Sequence, residues 1–555
     1  MSLKKDLDKL NPRKEQNDVI NFVDAQYKKD KKNKFFLLNL PPGVGKSHLA
    51  MMIVDWCNKN LGSNSRFDII TNSKILQDQY SSFYDSINDL KGKDNYECPA
   101  YSCSCAQGFE FNRLNKTNCD ACPHTSARDG FMSGKISLTN FYLYILYQLY
   151  MPKLMESRNA NVLIVDECHD LDSVISDFIS IKITEYVVKK LKFSSEADII
   201  KRLKKVSSIS EYITFLESLK NDIYNTIDSI ESALGSEKRT AKSDKRDNKL
   251  SKIFGSKNAD AKMMQIVTEL TQYQSKIEIF LKEYKDNPSN WVLETYYNEK
   301  TKQKELSLEP IWAFDYLDKY VYSRYDMVFL MSGTILDKSI FCSLNGLDPN
   351  LSVYYSIDSP FPIENRPIYY MPLGKMSYTQ KEDTFKNYVP FIQKILNKYS
   401  DKKGIIHTNS FELASWIKRD VTDMRLIFHD SSNKDEVLKA HFGTSQPTVL
   451  VSPSVDTGVS FDDDKARFQV ISKIPYPSLA SQKNKLRQKN NPEWYSYRTV
   501  QSLCQMIGRI IRSDKDYGDT IIIDGSFSDV MKYSGHFIPH WIQASIKKIS
   551  VKAKS

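Results

Sequence analysis

Two hydrophobic patterns alternate along the chain. Short, nearly uninterrupted apolar runs occur at Phe35–Leu40, Arg66–Ile70, Asn161–Val165 and Asp326–Met331. They recur at Gly404–His407, Thr448–Ser452, Arg467–Ser472 and Thr520–Asp524. Runs without polar alternation predict strands buried on both faces of a parallel sheet. Between them lie segments with apolar residues at helical spacing: Asn11–Ala25 with Pro12 at its start, His48–Cys57, Ile75–Ser82, Ser126–Gly134 and the aromatic-rich Phe141–Tyr150. Ile136–Asn140 predicts a further short strand. From Leu171 to about Lys285 the pattern becomes helical, with Ser210–Leu234 and Ala261–Tyr284 as its clearest members and the charged Glu237–Lys262 between them as a loop. Strand patterns return at Trp291–Tyr297 and Leu306–Pro310. The pattern as a whole predicts an α/β protein with two strand-and-helix units, the second starting near Asn345, and a helical insertion in the first.

The chain has 555 residues, too many for one hydrophobic core. A formal charge of +10 and a pI near 8.8 permit a polyanionic partner without requiring one. No apolar run reaches membrane-spanning length and the first residues lack an apolar signal core, so the sequence reads as cytoplasmic, with no membrane partner. In a reducing compartment cysteines are informative. Cys98, Cys103, Cys105, Cys119 and Cys122 crowd into C-x4-C-x-C-x13-C-x2-C, while Cys57, Cys168, Cys342 and Cys504 are scattered. Thiolates at such spacing suit an iron–sulfur cluster or tetrahedral zinc, and four of the five suffice for either. Cys98, Cys119 and Cys122 are natural ligands; Cys103 and Cys105 compete for the last place, with Cys103 preferred.

The apolar run at Phe35 enters Pro41-Pro42-Gly43-Val44-Gly45-Lys46-Ser47 and then a helical segment. Strand, glycine-bearing turn, Lys-Ser and helix are the parts of a phosphate-binding loop. Gly43 and Gly45 let backbone N–H groups point at phosphate oxygens, Lys46 supplies a charge, and Ser47 offers a hydroxyl to Mg²⁺. The strict pattern places a further glycine at position 40, where this chain has Leu40. His48 follows, and Arg13 and Gln16 on the preceding helix complete the nucleotide-binding candidates; Gln16 is placed either to read adenine or to face solvent. Asn161–Val165 delivers Asp166 and Glu167 to a strand end. There Asp166 would hold Mg²⁺ and Glu167 would orient or deprotonate water, with His169 beside them. Thr71-Asn72 and Ser332-Gly333-Thr334 lie at the ends of other strands, where open α/β sheets bind ligands. Gln505, Arg509 and Arg512 share one face if Gln505–Arg512 is helical. Two arginines and a glutamine facing one way need an anion, and a triphosphate is the natural one.

PPGVGKS at Pro41–Ser47, DECH at Asp166–His169, MSGT at Met331–Thr334, KIPYPS at Lys473–Ser478 and QMIGRIIR at Gln505–Arg512 follow one another in an order that resembles the XPD/DinG-type iron–sulfur helicases of superfamily 2. The resemblance covers nearly the whole chain. It implies RecA-like motor domain 1 in three parts (1–95, 125–175 and 291–344), a Cys-rich iron–sulfur domain (96–124), a helical arch (176–290) and motor domain 2 (345–555). It further implies ATP, Mg²⁺ and a [4Fe–4S] cluster as cofactors, and 5′-to-3′ translocation on single-stranded DNA with unwinding of forked or 5′-tailed duplex in replication, repair or recombination. Lys46, Ser47, Asp166 and Glu167 match the ATPase residues. Gln505, Arg509 and Arg512 match motif VI, and Thr71 and Asn72 the segment that holds DNA backbone. Ser332, Gly333, Thr334 and Gly458 fall at coupling positions. Thr457-Gly458-Val459-Ser460 stands where the family reads roughly Glu-Gly-Val-Asp, so two acids are missing. Zinc instead of iron, RNA instead of DNA, or an ATP-switched scaffold without processive unwinding are the competing readings. A monomer is the default for such a motor.

Overall fold

The computed structural model describes residues 5–6, 8, 11–115, 121–193, 195–237, 259–298, 303–430, 432–454 and 459–549. Cys119, Gly458 and most of the Glu237–Lys262 stretch lie outside them.

Two seven-stranded parallel sheets form the two α/β units. From edge to edge the first contains Ser352–Ser356, Phe35–Asn39, Met327–Ser332, Val162–Asp166, Phe67–Thr71, Ile136–Asn140 and Ile87–Asp89. The second contains Leu426–Phe428, Val449–Ser452, Gly404–His407, Phe468–Ile471, Asp519–Ile522, Ile368–Tyr370 and Ile546–Lys548. The central strands are buried along their whole length, which is why they carry continuous apolar runs. In the first sheet Phe36 and Leu38 enter one core, while Phe35 and Leu37 enter the other. That second core continues without a break into the helical insertion through Tyr212, Leu216 and Phe280. In-register pairing of Asn39 with Ser332 and of Met331 with Asp166 brings three functional strands to one carboxyl edge.

Two boundaries differ from the expected ones. Ser352–Ser356 pairs with Phe35–Asn39, so the first unit reaches past Asn345 to Ser356. Strands Trp291–Asn298 and Gln303–Pro310 do not join the first seven-stranded sheet. They pair antiparallel with each other and with Ile181–Ile183, giving the insertion a three-stranded sheet. Leu306 and Leu308 point into the shared core, and Ser307 between them is buried as well, so the strand is covered on both faces there. The insertion is otherwise helical, with long helices Ile209–Glu237 and Ala259–Asp286 packed together. Among the described residues no helix is long and apolar enough to cross a membrane.

Candidate ATP site and thiol cluster

The turn after Phe35–Asn39 needs left-handed backbone at Gly43 (φ +85°) and Gly45 (φ +82°), and helix Lys46–Asn60 starts from it. Gln16 and Arg13 hold this turn from outside. Gln16 Nε2 donates to the carbonyls of Val44 (2.9 Å) and Gly45 (3.1 Å), and its Oε1 accepts from the Arg13 N–H (2.9 Å). Arg13 Nη1 donates to the Gly43 carbonyl at 2.7 Å. Every polar atom of the Gln16 amide is therefore engaged with the loop or its own helix, so the side chain shapes the loop and does not project toward a base. His48 instead meets the Tyr84 hydroxyl at 2.5 Å.

Lys46 Nζ lies 2.8 Å from Glu167 Oε1. Glu167 adopts left-handed backbone (φ +57°), an uncommon conformation for a residue with a side chain, at the strand end where Asp166 is also presented. Burial acts against the charged form of Glu167, but Lys46 and His169 hold its carboxyl well below the usual range. Burial dominates for Asp166 and raises it to about 6, with Lys46 opposing. The Tyr80 hydroxyl donates to Asp166 Oδ2 (3.1 Å) and also contacts Ser47. Ser47 and Asp166 thus converge on one hydroxyl, and this hydroxyl-plus-carboxylate pair suits a hard, oxygen-preferring cation such as Mg²⁺.

The second α/β unit closes over this edge. His169 Nδ1 meets Ser332 Oγ at 2.8 Å, and its Nε2 meets Gln505 Nε2 at 2.9 Å. Gln505 also reaches Thr334 Oγ1 at 2.9 Å. Although burial disfavours its charged form, the neighbouring carboxylates of Asp170 and Glu167 raise His169 to about 9. At Gly333 an added Cβ would stand 3.2 Å from the Leu40 carbonyl, so this strand end needs glycine to approach the phosphate loop. Lys46, Glu167, His169, Thr334, Arg509 and Arg512 line the cleft between the domains.

Motif VI departs from its expected helix. The helix is Pro492–Ile507 and stops at Gly508, which packs against Pro42 of the phosphate loop. The Arg509 carbonyl then accepts from the Phe461 N–H, drawing the chain away from helical pairing. Arg509 and Arg512 reach the cleft from this turn. Arg509 Nη1 donates to the Val459 carbonyl (3.0 Å) and Arg512 Nε donates to Ser460 Oγ (3.0 Å).

Thr71 is fully buried and its hydroxyl caps the local turn, while Asn72 donates to Asp170 Oδ2 at 2.8 Å. Asn72 lines the cleft, and Thr71 is buried beside it. A group absent from the sequence reading joins them: Asp172 takes Arg498 at 2.5 Å and Arg487 at 3.7 Å, across the two domains. Arg498, Gln501 and Gln505 recur at helical spacing on Pro492–Ile507, a signal present in the sequence.

The four described cysteines of the crowded segment form two pairs. Cys98 and Cys103 face each other across a two-residue antiparallel bridge. Cys105 Sγ and Cys122 Sγ are 3.1 Å apart. Cys105 therefore stands nearer a partner thiol than its expected role as the spare suggests. Burial opposes it, yet hydrogen bonds from Cys105 and from the start of helix Pro123–Ser133 lower Cys122 to about 7, favouring the thiolate that a metal requires. Among the described residues no three potential ligands converge on one metal position.

Comparisons with known proteins agree with this architecture. Residues 393–545 match a helicase C-terminal domain model, and residues 9–195 match the model of the type III restriction enzyme res subunit. An ATP-dependent DNA helicase CHL1 of Vanderwaltozyma polyspora is 23% identical over 482 residues, covering 74% of this chain and 56% of the relative. A probable ATP-dependent helicase of Methanocaldococcus jannaschii is 24% identical over 296 residues, covering 47% and 44%. The chain thus spans about half the length of these curated relatives. A solved XPD helicase superposes with a TM-score of 0.63 at 14% identity over 98% of this chain and 100% of its own. Xpd4 of S. tokodaii superposes at 0.56, with 14% identity over 97% and 100%. These solved structures share the fold of this chain, two α/β domains around one cleft. The motif order and both insertions resemble those of the XPD/DinG type of helicase.

Proposed function

We propose that the chain is an ATP-dependent DNA helicase that moves 5′ to 3′ on single-stranded DNA and unwinds forked or 5′-tailed duplex. The observation that carries this reading is the single cleft where Lys46 and Glu167 of one domain face Arg509 and Arg512 of the other. Backbone N–H groups of the Gly43–Ser47 turn cradle the phosphates of ATP, and Lys46 exchanges Glu167 for them. Ser47 and Asp166 are the residues suited to hold Mg²⁺, which supplies charge neutralisation at the β- and γ-phosphates. Glu167, released from Lys46, orients the attacking water and accepts its proton. Arg509 and Arg512 stabilise the developing γ-phosphate charge, a contribution on the order of 10³–10⁵ in rate for arginine fingers. Gln505 and His169 report that state to Ser332 and Thr334. Hydrolysis removes the anion that both arginines face, and the domains separate.

Four of the five thiols of Cys98, Cys103, Cys105, Cys119 and Cys122 hold a [4Fe–4S] cluster, with zinc as the competing occupant; the Cys105–Cys122 contact supports inclusion of Cys105. DNA binding is salt-sensitive and largely sequence-blind because it rests on phosphates and stacking. Strand displacement on matched 5′-tailed, 3′-tailed, DNA and RNA substrates tests the proposal. ATP-dependent displacement restricted to 5′-tailed DNA is expected. Displacement of RNA alone, or ATP turnover with no displacement of any duplex, overturns it.

A further inference from the structure

The helix Gln482–Asn490 belongs to the second motor domain and has no acidic residue in its first turn. Its exposed N–H groups are met by a carboxylate from elsewhere in the fold. Glu294, on the insertion's three-stranded sheet and 2% exposed, accepts from the backbone N–H of Gln482 (3.1 Å) and Lys483 (2.6 Å) and from Ser481 Oγ (2.6 Å). Charge-assisted capping of a helix start by a buried acid is among the stronger polar contacts. Lys483 returns the contact by donating to Ser176 Oγ at 2.6 Å. The next helix, Pro492–Ile507, begins directly after this one. It carries Arg498, bound to Asp172, and ends with Gln505 at the ATP cleft. One rigid path therefore runs from Glu294 to the residues that face ATP.

Glu294 is rooted at the same time in the first domain, because Trp291, Leu306 and Leu308 of its sheet pack in the core shared with the first motor sheet. We infer that Glu294 is a positioning residue: it pins the second motor domain to the insertion as a fixed pivot, about which the cleft opens and closes and from which Gln505, Arg509 and Arg512 are aimed. The inference rests on the proposed ATPase cycle. Nucleotide binding uses the first domain, whereas turnover needs the second domain in register, so loss of the pivot separates the two.

The test is Glu294→Ala in the full chain, with ADP affinity, steady-state ATP turnover and amide hydrogen exchange of Gln482 and Lys483 measured together. ADP affinity is expected unchanged, kcat about ten-fold lower from the lost charge-assisted bonds, and exchange at the two amides faster. Glu294→Asp, which keeps the carboxylate, recovers part of kcat. In the native chain the two amides stay protected in nucleotide-free, ATP-analogue and ADP states. Exchange that accelerates on nucleotide binding in the native chain overturns the pivot, as does a kcat unaltered by Glu294→Ala. If Glu294→Ala fails to fold, Glu294→Gln removes the charge while keeping the shape and carries the same prediction at smaller amplitude. A native chain without ATP turnover refutes the proposed activity instead, and the exchange arm still decides the contact.

Discussion

Replacing Gln16 by alanine separates two roles that look alike in sequence. A glutamine ahead of a phosphate loop that reads adenine contributes base selectivity; one that braces the loop contributes to every nucleotide equally. Here Gln16 Nε2 is committed to the Val44 and Gly45 carbonyls. Two hydrogen bonds of about 0.5–1.5 kcal/mol each give a loss of about 1–3 kcal/mol in loop organisation. Expressed as affinity, this is a weakening of about 5- to 150-fold. Titration of ATP and GTP against the native and Gln16→Ala chains measures it, with the ATP-to-GTP affinity ratio as the decisive quantity. An unchanged ratio with both affinities reduced is expected. A loss confined to ATP refutes the bracing role and returns Gln16 to the base.

Other sites give independent outcomes. Glu167→Gln keeps nucleotide binding but lowers turnover by about 10²–10⁴-fold, the usual contribution of a positioned general base; a variant with near-native kcat sinks its assignment. Asp68 and Arg158 form an ion pair in which each is 1% exposed, with Tyr325 donating to Asp68 at 2.6 Å. Asp68→Ala leaves the guanidinium buried and costs about 3–5 kcal/mol of stability in chemical denaturation. Anaerobically purified protein carries about four irons with matching sulfide per chain if the thiols hold a [4Fe–4S] cluster. One zinc without sulfide contradicts the cluster, and Cys105→Ser is expected to lower occupancy.

Much of the motor was legible in sequence because it is local. The strand-turn-helix at Phe35–Asn60 and the apolar run ending in Asp166-Glu167 declare both position and chemistry within a few residues. The boundaries were harder where pairing is long-range. Ser352–Ser356 sits on the first sheet only because Phe35–Asn39 offers it an edge. The motif VI residues were found but not their conformation. Helical spacing of Gln505, Arg509 and Arg512 does not reveal that Gly508 meets Pro42 and that Phe461 claims the Arg509 carbonyl. Asn72 carries no sequence sign of its bond to Asp170 at the neighbouring strand end. Glu294 could not be singled out either, since its partners lie at residues 481–483 and only tertiary packing brings them together.

Nucleic acid is expected to drive ATP turnover at the cleft built on Lys46. The direct measurement is ATP hydrolysis with and without single-stranded DNA, in parallel for the native chain and Lys46→Ala. Burial lowers and Glu167 and Asp166 raise the proton affinity of Lys46, with a net rise, so it remains the cation that this site offers to phosphate. Hydrolysis stimulated by single-stranded DNA in the native chain and abolished in Lys46→Ala is expected. Hydrolysis that persists in Lys46→Ala, or a native chain whose turnover ignores DNA, contradicts it.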